Sequence, residues 1–231
     1  MMGLSIFRLV RRRAAPVVFV AALAAGLGAC SLKEFIPGGG ERADMYVLSP
    51  KSTFAETLAP VSSQLVIEVP IASEGINSHG IAVRETPLTL DYFAGVRWTE
   101  RAPFMIQTLL VESFENSGKI VSVARRGTDL RADYVLKTEL REFQAEYTTP
   151  ESADARVRLN AKLVRMPQRV ILASVNFERR IAVEGEGILA VVNAFDTALG
   201  KVLKRTVEWS LREVAQDEQT RKGKRRSRRN Q

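Results

Sequence analysis

The sequence holds one cysteine, Cys30, and one histidine, His79. A thiol or hydroxyl nucleophile needs a positioned base, and a metal needs three or four ligands at close spacing. This pair supplies neither, and with no second cysteine there is no redox couple. His79 lies in Asn77-Ser78-His79-Gly80, a turn-like stretch that suits a solvated loop histidine. Gly200-Lys201 lacks both the preceding glycine and the following Ser or Thr of a phosphate-binding loop, so ATP hydrolysis is not expected. Among 26 acidic residues no spacing singles out a catalytic pair. Asp91, Tyr92, Arg97 and Trp98 gather in one short stretch. Trp98 there either fills the core, with Asp91 pairing Arg97 or capping a turn, or joins Tyr92 and Arg97 in a partner contact, since Trp and Arg are favoured at interface centres. The expectation is a protein that binds and positions, with no catalytic residue, no cofactor and no metal.

Charge directs attention to the two ends of the chain. The formal net charge is +8, but Arg8, Arg11, Arg12 and Arg13 lie in residues 1–29 and seven further cations lie in residues 221–231, neither stretch holding an acid. Removing those four and seven from +8 leaves −3 for residues 30–220. A broad basic face for nucleic acid is therefore not expected on the folded part. Residues 14–29 carry no charge and follow the basic cluster, the layout of a signal peptide over residues 1–29. Sixteen residues interrupted by Pro16, Gly26 and Gly28 are short for a span, which takes about 20.

Leu27-Gly28-Ala29-Cys30 resembles the bacterial lipoprotein box. That resemblance implies cleavage before Cys30, a diacylglycerol on its sulfur and an acylated amine. Three acyl chains, at about 0.8 kcal/mol per buried methylene, would hold the protein on a membrane. Ser31 resembles the outer-membrane sorting class, which implies lipid anchoring on the periplasmic face of that membrane. Residues 30–44, with Pro37-Gly38-Gly39-Gly40, read as a flexible tether.

From residue 45 to 215 the hydropathy pattern predicts one α+β domain. Short strands are expected at Met45–Leu48, Gln64–Val69, Ile81–Val83, Leu88–Phe93 and Ile120–Val123. Pro103 opens a helix that closes at Ser117-Gly118, with Met105, Ile106, Leu109, Leu110 and Phe114 on its apolar side. In Ala132–Tyr147, Tyr134, Leu136, Thr138 and Leu140 alternate, and Phe143, Ala145 and Tyr147 resume one residue out of phase, as after a β-bulge. Arg156–Val164 alternates cleanly and turns at Met166-Pro167-Gln168-Arg169 into Val170–Val183. A final helix from about Gly187 to Glu213 carries the seam Ile188, Val192, Phe195, Leu199, Val202, Thr206 and Trp209, suited to packing on the sheet or to a homo-oligomer contact. The order favours a mostly antiparallel sheet with two amphipathic helices on one face. Residues 216–231 read as a disordered basic tail, either solvated or in contact with anionic lipid headgroups.

Tyr46-Val-Leu-Ser-Pro50, Ile81-Ala-Val-Arg84, Leu90-Asp-Tyr-Phe-Ala-Gly-Val-Arg-Trp98, Arg101-Ala-Pro103 and Phe114-Glu-Asn-Ser-Gly118, in this order after the lipoprotein box, resemble the ABC-type transport auxiliary lipoproteins, among them the paraquat-inducible protein C group. The resemblance runs from about Cys30 to Glu213. It implies a periplasmic accessory lipoprotein whose partners are an ABC permease, its ATPase and an MCE-domain protein, moving lipids or other apolar molecules between the two membranes. The competing reading is an outer-membrane lipoprotein of envelope assembly, either a cell-wall synthase regulator or a secretion component.

The Cys30 reading is tested by mass. The mature membrane protein should begin at an acylated Cys30, and Cys30→Ser should retain the signal peptide or mislocalise. An intact mass showing a free thiol at Cys30 would refute it.

Overall fold

The computed structural model describes residues 42–125, 127, 131–149 and 151–230, so the signal peptide, Cys30 and most of the tether lie outside the described residues. Strand β7 (Tyr134–Thr149) is the longest of nine strands that form one sheet. Along one edge it pairs antiparallel with β8 (Ser152–Arg165), which continues through the predicted turn into β9 (Val170–Ala182). Along its other edge lie three short parallel partners, β2 (Val61–Ile67), β3 (Ile71–Ala72) and β4 (Gly80–Arg84). Their registers place them in succession, at Tyr134–Leu136, Glu139–Leu140 and Ala145–Glu146. Beyond them, β6 (Ile120–Arg125) flanks β2, while β5 (Asp91–Trp98) flanks β4 and carries β1 (Asp44–Tyr46) at the margin. The sheet is mixed, and the β7–β8 and β8–β9 ladders make most of its pairings antiparallel.

The bulge expected in β7 falls between Leu140 and Glu142. It keeps Tyr134, Leu136, Leu140, Phe143 and Ala145 on one buried face despite the change of phase. Helix α1 (Ala102–Ser117) and helix α2 (Gly187–Arg229) cover that face. Pro103 sits in the first turn of α1, where its missing N–H costs nothing. Gly118 ends the helix at φ +60, a left-handed conformation that favours glycine, and donates its N–H to Glu115. Gln107 on α1 is buried and donates its side-chain amide to the Ile67 carbonyl at 2.8 Å, tying the helix to the end of β2.

The seam of α2 packs on the sheet. Val192, Phe195, Leu199, Val202 and Thr206 are buried, and Trp209 meets Phe177 edge-on at 6.2 Å. At the centre of the core Trp98, Phe143 and Phe195 form a cluster with ring centroids 5.0–5.6 Å apart. Acidic residues on α2 also hold the segment that follows β1. Asp196 accepts from the Ser49 amide, Glu208 from Ala55 and Glu218 from Ser62, so residues 49–62 are fastened to the helix at three points.

Three sequence expectations are corrected. The first strand ends at Tyr46, and Leu48 is buried beyond it. The strand expected from Leu88 begins at Asp91, because Thr86 and Thr89 close a turn with reciprocal backbone and hydroxyl hydrogen bonds. The helix expected to stop near Glu213 runs to Arg229, through most of the stretch read as a disordered tail. Long-range contacts carry it there: Asp217 accepts from the Tyr134 hydroxyl at 2.8 Å and from Arg165 at 2.7 Å, and Glu218 accepts from the Ser63 hydroxyl. Beyond them, good helix formers and cations in the last turn suit a helix C-terminus.

Phe195→Ala should destabilise the domain by about 3–5 kcal/mol, since it removes a fully buried ring from the aromatic cluster. Urea unfolding of the two proteins checks this, and an unchanged midpoint would refute the central placement of the cluster.

Candidate functional site

Four of the five motifs meet at one corner of the fold, and the fifth, Phe114–Gly118, closes the far end of α1. Tyr46 in β1 stands beside Trp98 in β5, and the Thr99 amide donates to the Tyr46 carbonyl at 2.9 Å. The Trp98 amide donates to the His79 carbonyl at 2.7 Å, and the Ala102 amide at the start of α1 donates to the Ser78 carbonyl at 3.1 Å. This backbone mesh ties β1, β5, the loop before β4 and the start of α1 together. His79 contributes its carbonyl there, and its side chain lies in an exposed loop position.

Of the three residues proposed for partner contact, the corner leaves two accessible. Trp98 is completely buried against Phe143 and Phe195, so it is a core residue and cannot meet a partner; this corrects its assignment as a contact. Its indole N–H is buried without a hydrogen-bond partner among the described residues. Tyr92 is 40% exposed and Arg97 is exposed, with the Arg97 guanidinium lying 3.7 Å from the Met45 sulfur. Asp91 accepts from the Tyr92 amide at 2.8 Å, the turn-capping alternative, and not from Arg97 among the described contacts.

The Tyr92 ring lies flat over Gly80. A Cβ at that position would come within 2.3 Å of the ring, so no larger residue fits beneath it. The Tyr92 hydroxyl donates to the Gly75 carbonyl at 2.9 Å, and Leu90 packs onto Gly75 in the same way. Leu88, at the tip of the preceding turn, is 98% exposed. Leu88, Leu90 and Tyr92 are exposed there, as are Arg97 on β5, Met45 on β1 and Val47 just after β1, a mix of apolar and cationic side chains.

Sequence reasoning missed an ion network on the sheet face turned away from the helices. Glu146 accepts from Arg156 at 3.0 Å, from Arg180 at 2.8 Å, from Gln144 at 2.8 Å and from Arg84 at 3.4 Å, and Arg156 also reaches Glu178 at 2.8 Å. Burial alone would raise the Glu146 carboxyl. Hydrogen bonds from Gln144 and Arg156 and the charges of Arg156 and Arg180 outweigh it and hold the group below its ordinary value of 4.5. Burial would likewise lower Arg156, but its bonds to Glu146 and Glu178 raise it. The cross-strand pairs Glu142 with Arg158 and Gln144 with Arg156 were the available signal, legible only once the two strands are aligned. On the same outer face Val66, Val135, Val164, Met166 and Ile171 line a groove of about 440 Å³, bordered by the Lys137–Glu68 ion pair. No three His, Cys, Asp or Glu residues among those described are arranged to hold a metal ion.

The architecture is an α+β sheet covered on one face by two helices, with four of the sequence motifs gathered at one corner. The chain belongs to the family described as ABC-type transport auxiliary lipoprotein component, whose model matches residues 46–207. It is thus an auxiliary lipoprotein component of an ABC-type transport system, and no described helix is long and apolar enough to cross a membrane. The solved structure of protein XCC0632 from Xanthomonas campestris is 34% identical, with a TM-score of 0.73 over 77% of this chain and 99% of that one. A second solved structure, of an uncharacterized protein, is 12% identical with a TM-score of 0.58, covering 72% of this chain and 97% of that one, a likeness of fold alone. An uncharacterized protein, bll6063, of Bradyrhizobium diazoefficiens is 27% identical over 184 residues. That match takes in 77% of this chain and 48% of the relative, so the chain spans about half the relative's length.

The network predicts an acid-sensitive stability. Because the folded Glu146 carboxyl sits below 4.5, its contribution is present above that value and is lost as pH falls through the lowered one. Glu146→Gln should lower the urea midpoint at neutral pH and flatten the loss of stability as pH falls below 4.5. Parallel pH profiles for the two proteins would refute it.

Proposed function

We propose that this chain is the lipid-anchored, periplasm-facing accessory lipoprotein of an ABC transporter that works with an MCE-domain protein to move lipids or other apolar molecules between inner and outer membranes, as in the paraquat-inducible protein C group. One observation carries the reading: four of the motifs knit a single corner beside which Leu88, Leu90, Tyr92 and Arg97 stand exposed. The chain acts by binding and positioning, without catalysis. Acylation of Cys30, with Ser31 directing the chain to the outer membrane, confines the domain near its partners, so modest contacts suffice through effective concentration. Self-association is a further contact this role accommodates.

Photoreactive residues placed at Tyr92 and Arg97 in living cells test the proposal, since both positions are exposed. Crosslinks to the MCE-domain protein or permease are expected. Crosslinks confined to cell-wall synthases or secretion components would overturn it in favour of an envelope-assembly role.

A further inference from the structure

Beyond Thr220 helix α2 leaves the body of the domain. Residues 221–230 are all exposed, and Arg221, Lys222, Lys224, Arg225, Arg226, Arg228 and Arg229 bring seven cations and no acid. The last two acids before them are turned inward, Asp217 to Tyr134 and Arg165, and Glu218 to Ser62 and Ser63. At the base, Lys222 stands 4.0 Å from Glu218 and Arg221 reaches the Tyr134 hydroxyl, so the five cations beyond them are the ones turned to solvent. At 1.5 Å per residue the segment from Thr220 to Arg229 makes a rod about 14 Å long.

The distribution around the rod is one-sided. At 100° per residue the seven cations fall within an arc of roughly 200°, while Gly223, Ser227 and Asn230 occupy the remainder. No apolar residue lies between Gln216 and Arg229, so the rod has nothing to insert into a hydrocarbon layer. A broad cationic face without an apolar one fits a flat, negatively charged surface at headgroup depth. Like charges at i,i+4, such as Lys224 with Arg228 and Arg225 with Arg229, weaken the isolated helix, and an anionic surface relieves them.

We propose that the C-terminal end of α2 is a docking surface for an anionic phospholipid bilayer, separate from the acyl anchor. The choice of a lipid surface over another polyanion follows from charge complementarity and from the chain's membership in a lipoprotein family. It does not rest on the transporter partner proposed above, so the two can fail independently.

Residues 43–231 suit the test, because they form one compact unit and, among the described residues, every buried apolar one lies between Leu48 and Val214. That fragment is floated with phosphatidylcholine vesicles with and without phosphatidylglycerol, at low and high salt, beside a variant with Lys224, Arg225, Arg226, Arg228 and Arg229 all changed to Gln. None of the five touches the core, so the variant should melt at the parent's temperature. The parent should bind only the anionic vesicles, gain helicity on binding, and detach at high salt; the variant should bind at least about a hundredfold more weakly. Equal binding by the variant, or equal binding to neutral vesicles, would overturn the proposal. Tighter binding to duplex DNA than to the anionic vesicles would overturn it too, by assigning the face to nucleic acid.

Discussion

The single extra residue at the β7 bulge is the constraint on which the rest of the fold depends. A strand's side chains alternate with period two, so without the phase change Phe143 and Ala145 would turn outward and Glu142, Gln144 and Glu146 would enter the core. Buried carboxylates facing Trp98 and Phe195 would have no cationic partner there, a cost far above that of a bulge. With the bulge, Phe143 completes the aromatic cluster. Glu142 and Glu146 meet Arg84 and Arg156 on the opposite face. One local irregularity thus serves the core and the ion network together.

The same strand sets the topology. Sixteen residues of β7 are long enough to accept three short strands in succession on one edge, so β2, β3 and β4 need no long pairing of their own. Short parallel ladders are weak alone, and here they are secured from the helix layer. Gln107 binds the end of β2, the mesh around Ser78 and His79 binds the start of β4, and the acids of α2 fasten the segment leading into β2. Tyr46, Trp98 and Ala102, from three of the motifs, enter the corner mesh through their backbone groups.

Much of this was legible in the sequence where the signal is local. The bulge showed as a phase change in alternating residues, the β8–β9 hairpin as a turn between alternating runs, and α1 as a proline start and a glycine stop. What could not be read depends on residues far apart in the chain. The parallel pairings onto β7 have no sequence period. Trp98 fits a core by its residue type, with an interface as the alternative, and its burial follows from where Phe195 stands, nearly a hundred residues away. The end of α2 was misread because composition past Glu213 looks unpatterned, while Asp217 and Glu218 are held by residues of β2, β7 and β8.

Those last contacts make the junction between body and rod a chemical joint. Burial pushes the Tyr134 phenol up to about 12, Asp217 adds to the rise, and Arg221 works in the opposite direction. The phenol therefore stays protonated and donates to Asp217, whose other oxygen accepts from Arg165. A carboxylate held from two strands fixes the helix axis at the point where apolar packing ends, since Val214 is the last buried apolar residue. The charged turns beyond it have no core of their own. Their direction follows from this joint and from the continuity of helical hydrogen bonding, so α2 is at once the lid on the sheet and the rigid base of a cationic extension.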